Sequence, residues 1–172
     1  MTSSNEFPTP TRLLLVEGKD DKRFLEALAR HLGETGITVE IYGGKPNLGN
    51  RLVNLAGRLN DFIDPSIGIV RDADNSSQSA FDSVAGSLRR AGMPTPDGPM
   101  ALIERDGLRI SVLILPPDDE QGELENVCLR SVAGSRELEC VEDYLNCLES
   151  LEPAIAANQM AKAKLHSTPI WQ

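Results

Sequence analysis

The chain is short of aromatic residues, with one Trp, two Tyr and four Phe in 172 residues. Its core must therefore be aliphatic, built from Leu, Ile, Val and Ala. Cysteine is scarce too. Cys128, Cys140 and Cys147 are odd in number and contain no Cys-x-x-Cys pair, which argues against a disulfide framework and a cysteine-based zinc site. Cys140 and Cys147 lie seven apart in an expected helix and read as two small buried hydrophobes on one face. Two histidines, His31 and His166, leave little scope for a His-based triad. No apolar run approaches the roughly 20 residues of a membrane span. Residues 1–6 lack the basic stretch and apolar run of a signal peptide, so the expected location is the cytoplasm.

Positive charge is lacking as well. The net charge is −9 and is uneven, near +1 over residues 1–60, −3 over 61–115 and −7 over 116–172. A strong non-specific nucleic-acid binder carries a basic footprint. This chain has none, so a polyanion must approach the N-terminal third or be helped by metal ions or a partner protein.

What the chain does have is order. Residues 1–11, with Pro8 and Pro10, read as a loose leader. Residues 12–17 form an apolar run short enough for a buried strand. Gly18 then permits a turn, and Asp20 or Asp21 caps a helix striped by Phe24, Leu25, Leu28 and Leu32. Ile37, Val39 and Ile41 alternate as a second strand, broken by Gly43 and Gly44. A helix is expected from about Leu48 to Phe62, with Arg51 and Arg58 on its polar face. A third strand covers residues 66–70, and a third helix follows the Asn75-Ser76-Ser77 cap.

After Gly92 the pattern changes. Residues 100–104 and 108–115 read as a hairpin joined by Asp106-Gly107. Helices follow at about 124–132, 137–148 and 154–165. The alternation of strands and helices indicates an α/β fold with a mainly parallel sheet covered on both faces. Little follows Trp171, so the chain reads as a form cut from a longer protein.

Acidic residues stand where two apolar strands stop: Leu13-Leu14-Leu15-Val16-Glu17-Gly18 and Ile67-Gly68-Ile69-Val70-Arg71-Asp72-Ala73-Asp74. The carboxyl ends of strands are where open α/β sheets bind ligands. Asp72 and Asp74, two apart on an extended segment, would point the same way and repel unless a cation lies between them. If the first and third strands are neighbours, three carboxylates converge. Such hard oxygen ligands suit Mg²⁺ or Mn²⁺. Taken singly, each has a plainer reading: Glu17 as a solvated strand end, Asp74 as a helix cap.

These two segments resemble the motifs of the Toprim domain, found in type IA and II topoisomerases, bacterial primases, recombination proteins and overcoming-lysogenization-defect nucleases. The likeness is nearest to small stand-alone Toprim-like proteins, which also carry a Gly-Gly after the second strand, as at Gly43-Gly44, and a Pro-rich turn before Gly-x-Leu-Glu, as at Pro116-Pro117 and Gly122-Glu123-Leu124-Glu125. The resemblance covers residues 12–132 as a domain, with 133–172 as a helical extension. It implies a three-layer α/β/α fold with a Toprim-like (Rossmann-like) sheet, and Mg²⁺- or Mn²⁺-dependent phosphodiester chemistry on DNA or RNA, most simply nuclease-type hydrolysis. By match, Glu17 is the general acid/base, Asp72 and Asp74 are metal ligands, and Glu125 is the acidic residue of a second metal position. Lys19, Lys45 and Arg51 are candidates to meet phosphates, and a homodimer is among the expected assemblies, whereas a membrane is not a partner.

The sequence departs from the better-known members. It has no zinc ribbon, no P-loop spacing and no tyrosine in a setting suited to strand passage. Two other readings stand beside the hydrolase. One is a receiver-like phospho-acceptor, which needs an acidic pair after the first strand, a hydroxyl after the fourth and a Lys after the fifth. The other is a non-catalytic metal-binding module that docks a partner through its acidic C-terminal helices.

Overall fold

The computed structural model describes residues 11–117, 121–149 and 157–168. The expected leader up to Pro10 and the segment around Trp171 lie outside the described residues. The chain divides into two compact units between Gln121 and Gly122.

The first unit is a five-stranded sheet in the order β2-β1-β3-β5-β4, where β1 is Arg12–Val16, β2 Ile37–Ile41, β3 Ser66–Asp72, β4 Leu102–Arg105 and β5 Leu108–Leu115. The first, second, third and fifth strands run parallel, and β4 pairs antiparallel with β5. The helices α1 (Lys19–His31), α2 (Lys45–Ala56) and α3 (Ser77–Arg90) alternate with the strands, giving the expected three-layer α/β arrangement. The hairpin turn also matches its sequence signal. Asp106 and Gly107 both have positive φ, 52° and 76°, as a two-residue turn matched to strand twist requires.

Parallel register decides which side chains share a face. Leu13 stands beside Ile67, which stands beside Ile110, and Ile69 stands between Leu15 and Val112. These residues form the main core with Leu48, Leu52 and Leu55 of α2 and Phe81, Val84 and Leu88 of α3. Burying each such side chain contributes about 1.5–3 kcal/mol, which anchors the strand ends above them. On the other face Leu14 stands level with Val39 and Gly68, and α1 packs along β2, with Lys22 Nζ donating to the Val39 carbonyl.

Three boundaries differ from expectation for identifiable reasons. β3 continues past Val70 because Arg71 and Asp72 stay paired with Ile114 and Leu115 of β5. α2 begins at Lys45, three residues early, because Pro46 falls in its first turn, where a missing N–H costs nothing. Gly43 and Gly44, with φ of 79° and 92°, turn the chain into it through conformations that suit glycine. The helix also stops sooner, at Ala56, and a short 3-10 turn, Leu59–Asp61, carries on. Leu59 and Phe62 still pack on the core, but Arg58 is no longer on the helix; it lies 5.8 Å from the Phe62 ring centre and pairs with Asp61.

The second unit comprises α4 (Leu124–Ser131), α5 (Arg136–Glu149) and α6 (Ala157–Ser167). Both α4 and α5 pack on α6, and Leu124, Leu138, Val141, Leu145 and Leu165 are buried. The sequence-based boundary at 132/133 therefore moves to 121/122, since α4 groups with the helices after it. Cys128 is buried, but Cys140 and Cys147 are exposed, against the expectation that this pair is buried. Among the described residues no helix is long and apolar enough to cross a membrane.

Candidate functional site

The apolar run of β1 ends at Val16, and Glu17 follows directly. The chain turns at Gly18, whose N–H donates to Asp21 Oδ2 at 2.7 Å. Asp21, in the third position of α1, is thus the residue that ties down the helix start, a capping-box geometry. Glu17 itself is half-buried, and its Oε2 is enclosed with no hydrogen-bond partner. A buried polar atom left unpaired costs about 1–3 kcal/mol.

β1 and β3 are neighbours, which meets the condition set by the sequence for the acidic strand ends to come together. Extending the register one step past Val16–Ile41 and two past Leu15–Ile69 sets Glu17 abreast of Tyr42 on one side and Arg71 on the other. Tyr42 N–H donates to the Val16 carbonyl at 2.9 Å, and its hydroxyl donates to the Val70 carbonyl at 3.4 Å. Burial pushes the phenol well above its ordinary value. Glu17 pushes it further, with lesser contributions from Asp21 and Asp72, while Arg71 pulls the other way. Arg71 is buried in the core. Its Nη1 donates to Ser83 Oγ of α3 at 3.0 Å, and its Nε has no partner.

Asp72 closes β3, and Ala73 beyond it is buried in the core. Asp74 has φ of 53°, so the segment is not extended at this point. The two-residue alternation that would align Asp74 with Asp72 therefore ends before Asp74, against the expectation that both carboxylates point the same way. Instead the Asp74 carboxylate pairs with Lys45 at the start of α2. That contact joins the connection after β2 to the connection after β3, across the end of β1.

The other candidates divide. Lys19 is exposed at the first position of α1. Arg51 pairs with Glu40 of β2, and with Lys22 and Tyr42 it lines a cavity of about 440 Å³ beside that edge strand. Glu125 belongs to the second unit, where it is buried 3.5 Å from Lys162. Among the described residues, no three His, Cys, Asp or Glu side chains are grouped as a preformed metal cage.

Tyr42 and Arg71 are the residues that sequence reading missed. Tyr42 continues the alternation of Thr38 and Glu40, which gives it the same face as Glu17. Arg71 is a charge in an unbroken apolar strand pattern, a signal overshadowed by the acidic residues after it.

A family described as "Protein of unknown function (DUF3226)" matches residues 11–172, and the chain belongs to that family. No curated protein matches the chain. No solved structure matches it.

Proposed function

We propose that this DUF3226 member is a Mg²⁺- or Mn²⁺-dependent hydrolase of phosphodiester bonds in nucleic acid, working at the carboxyl ends of β1 and β3. The observation that carries the reading is the enclosed, unpartnered Oε2 of Glu17 beside the strand that ends in Asp72. A carboxylate with one oxygen enclosed and unpaired is costly for the fold, a cost that fits a group kept to move protons through its other oxygen.

The donor set suits a hard divalent ion. Asp72 and Asp74 offer carboxylate oxygens, and the Lys45 ammonium beside Asp74 marks a position that already accommodates positive charge. When bound there, such an ion polarises a phosphoryl oxygen and lowers the pKa of water. Glu17 takes the proton from the attacking water and returns one to the leaving oxygen. Asp72 and Asp74 would hold the cation. Lys45 moves from Asp74 to a phosphate oxygen, and Lys19, exposed at the head of α1, meets a flanking phosphate. Arg51 takes no part in this scheme, because Glu40 engages it. A receiver-like role is the weaker reading, since β5 runs into Leu115-Pro116-Pro117 and offers neither hydroxyl nor Lys.

The test combines calorimetric titration with Mn²⁺ and a cleavage assay on single- and double-stranded DNA and RNA. The expected result is binding and cleavage by the natural chain, with cleavage lost in Glu17→Gln while binding persists. Mn²⁺ binding with no cleavage of any substrate would reject the hydrolase and favour the metal-binding interaction module.

A further inference from the structure

Tyr42 is a buried polar residue to which the proposed hydrolysis gives no task. The residue is 5% exposed, and its hydroxyl donates to the Val70 carbonyl at 3.4 Å. Ordinary O–H···O bonds are about 2.7–2.8 Å long, so this donor is only loosely engaged. Beside it the opposite defect occurs. Glu17 Oε2 is a buried acceptor with no donor.

The two defects are neighbours. Val16 stands level with Ile41, so the next residues, Glu17 and Tyr42, emerge abreast on one face of adjacent strands, which lie about 4.8 Å apart. Of the charged groups around the phenol, Glu17 acts on it most strongly, ahead of Arg71, Asp21 and Asp72. Pairing a loosely held donor with an unsatisfied acceptor on the neighbouring strand relieves the acceptor that has no donor.

We propose that Tyr42 is the positioning residue for Glu17: its hydroxyl swings from the Val70 carbonyl to Glu17 Oε2 and fixes the carboxylate with Oε1 left to take the proton. The hydrogen bond is inferred from the geometry alone, and its part in turnover rests on the hydrolase reading. Burial keeps the phenol protonated, so the donor is present throughout the working pH range. Arg71, on the far side of Glu17, limits the other directions in which the carboxylate can turn.

Two measurements test this separately. The first is a thermal double-mutant cycle of Tyr42→Phe, Glu17→Leu and the pair, with circular dichroism confirming the fold. The expected result is that the melting-temperature shifts of the single variants fail to add in the double. Additive shifts would overturn the proposal whatever the activity. The second is steady-state cleavage with Mn²⁺. Tyr42→Phe should lower kcat by about tenfold or more while KM and Mn²⁺ affinity stay within about twofold, as expected for a misplaced catalytic group. A Tyr42→Phe enzyme with the natural kcat would overturn the positioning role. Non-additive shifts in a chain that cleaves nothing would keep the hydrogen bond and discard the hydrolase reading.

Discussion

If Glu17 is the proposed general acid/base, stability and function pull in opposite directions there. A charged oxygen in an enclosed position costs more than a neutral one, whichever donor meets it. Glu17→Gln should therefore raise unfolding free energy by about 1 kcal/mol, read by denaturant titration, while cleavage falls by about 10²–10⁴-fold. A variant that is both less stable and fully active would contradict the assignment. Lys45 offers a different contrast. Its ion pair with Asp74 is partly solvated, and such pairs contribute about 0–1 kcal/mol. Lys45→Ala should leave the unfolding midpoint nearly unchanged yet tighten Mn²⁺ binding, since a tethered competitor for Asp74 is gone; weaker Mn²⁺ binding in calorimetry would count against this account. Cys128 is the clearest pH-dependent group. Burial, and then Glu125, push its thiol from 9.0 up to about 11. The unfolded thiol loses its proton first, so this stabilisation is complete below about pH 9 and drains away as pH climbs toward 11. The same burial makes Cys128 slow toward a thiol reagent at neutral pH, whereas Cys140 and Cys147, both exposed, should react quickly. Three equally fast thiols in the folded protein would show Cys128 to be accessible. At this scale the sequence revealed what stands out against its surroundings. Glu17, Asp72 and Asp74 are charges closing apolar runs. Tyr42 was not legible, because its importance comes from the strand it lies beside.

Elements were readable where local pattern decides and misread where pairing or packing does. The helical stripes of α1 and α3 and the Asp106-Gly107 hairpin follow from spacing and turn chemistry. The end of β3 does not, because Arg71 and Asp72 are held in the ladder by β5 rather than by propensity. Gly68 is a further case. It reads as a weak point in an apolar strand, yet a Cβ there would meet Leu14 Cδ1 at 2.6 Å. The Leu14 side chain of β1 lies over Gly68 on the face opposite α2 and α3, beside an apolar cavity of about 370 Å³ that Ile37 and Leu102 also line. Gly68→Ala should cost no more than about 1 kcal/mol, because Leu14 Cδ1 is the free end of a flexible side chain with that cavity to turn into. Adding Leu14→Ala should recover part of that loss, which thermal or denaturant unfolding of the three variants would reveal. No recovery would mean that strain in the β3 backbone, rather than the Leu14 contact, sets the cost.

For the whole molecule, charge governs how a nucleic acid would be held. The net charge is −9, and the cations assigned to phosphate are few: Lys19, and Lys45 once it leaves Asp74. Binding strength that comes from phosphate neutralisation falls with salt in proportion to the number of phosphates contacted. Two or three contacts give a slope of about −1.8 to −2.7 in log affinity against log salt, so raising salt from about 50 to 200 mM should weaken binding by roughly ten- to fortyfold. A chain that grips nucleic acid through a broad basic surface would lose a thousandfold or more over roughly the same range. In the proposed scheme the remaining attraction comes through divalent ions, so affinity should rise with added Mn²⁺ at constant ionic strength. Fluorescence anisotropy of a labelled oligonucleotide with Glu17→Gln, expected to bind without cutting, measures both dependences. A steep salt slope, or affinity indifferent to Mn²⁺, would place the contact surface away from the acidic strand ends and separate nucleic-acid binding from Glu17, Asp72 and Asp74.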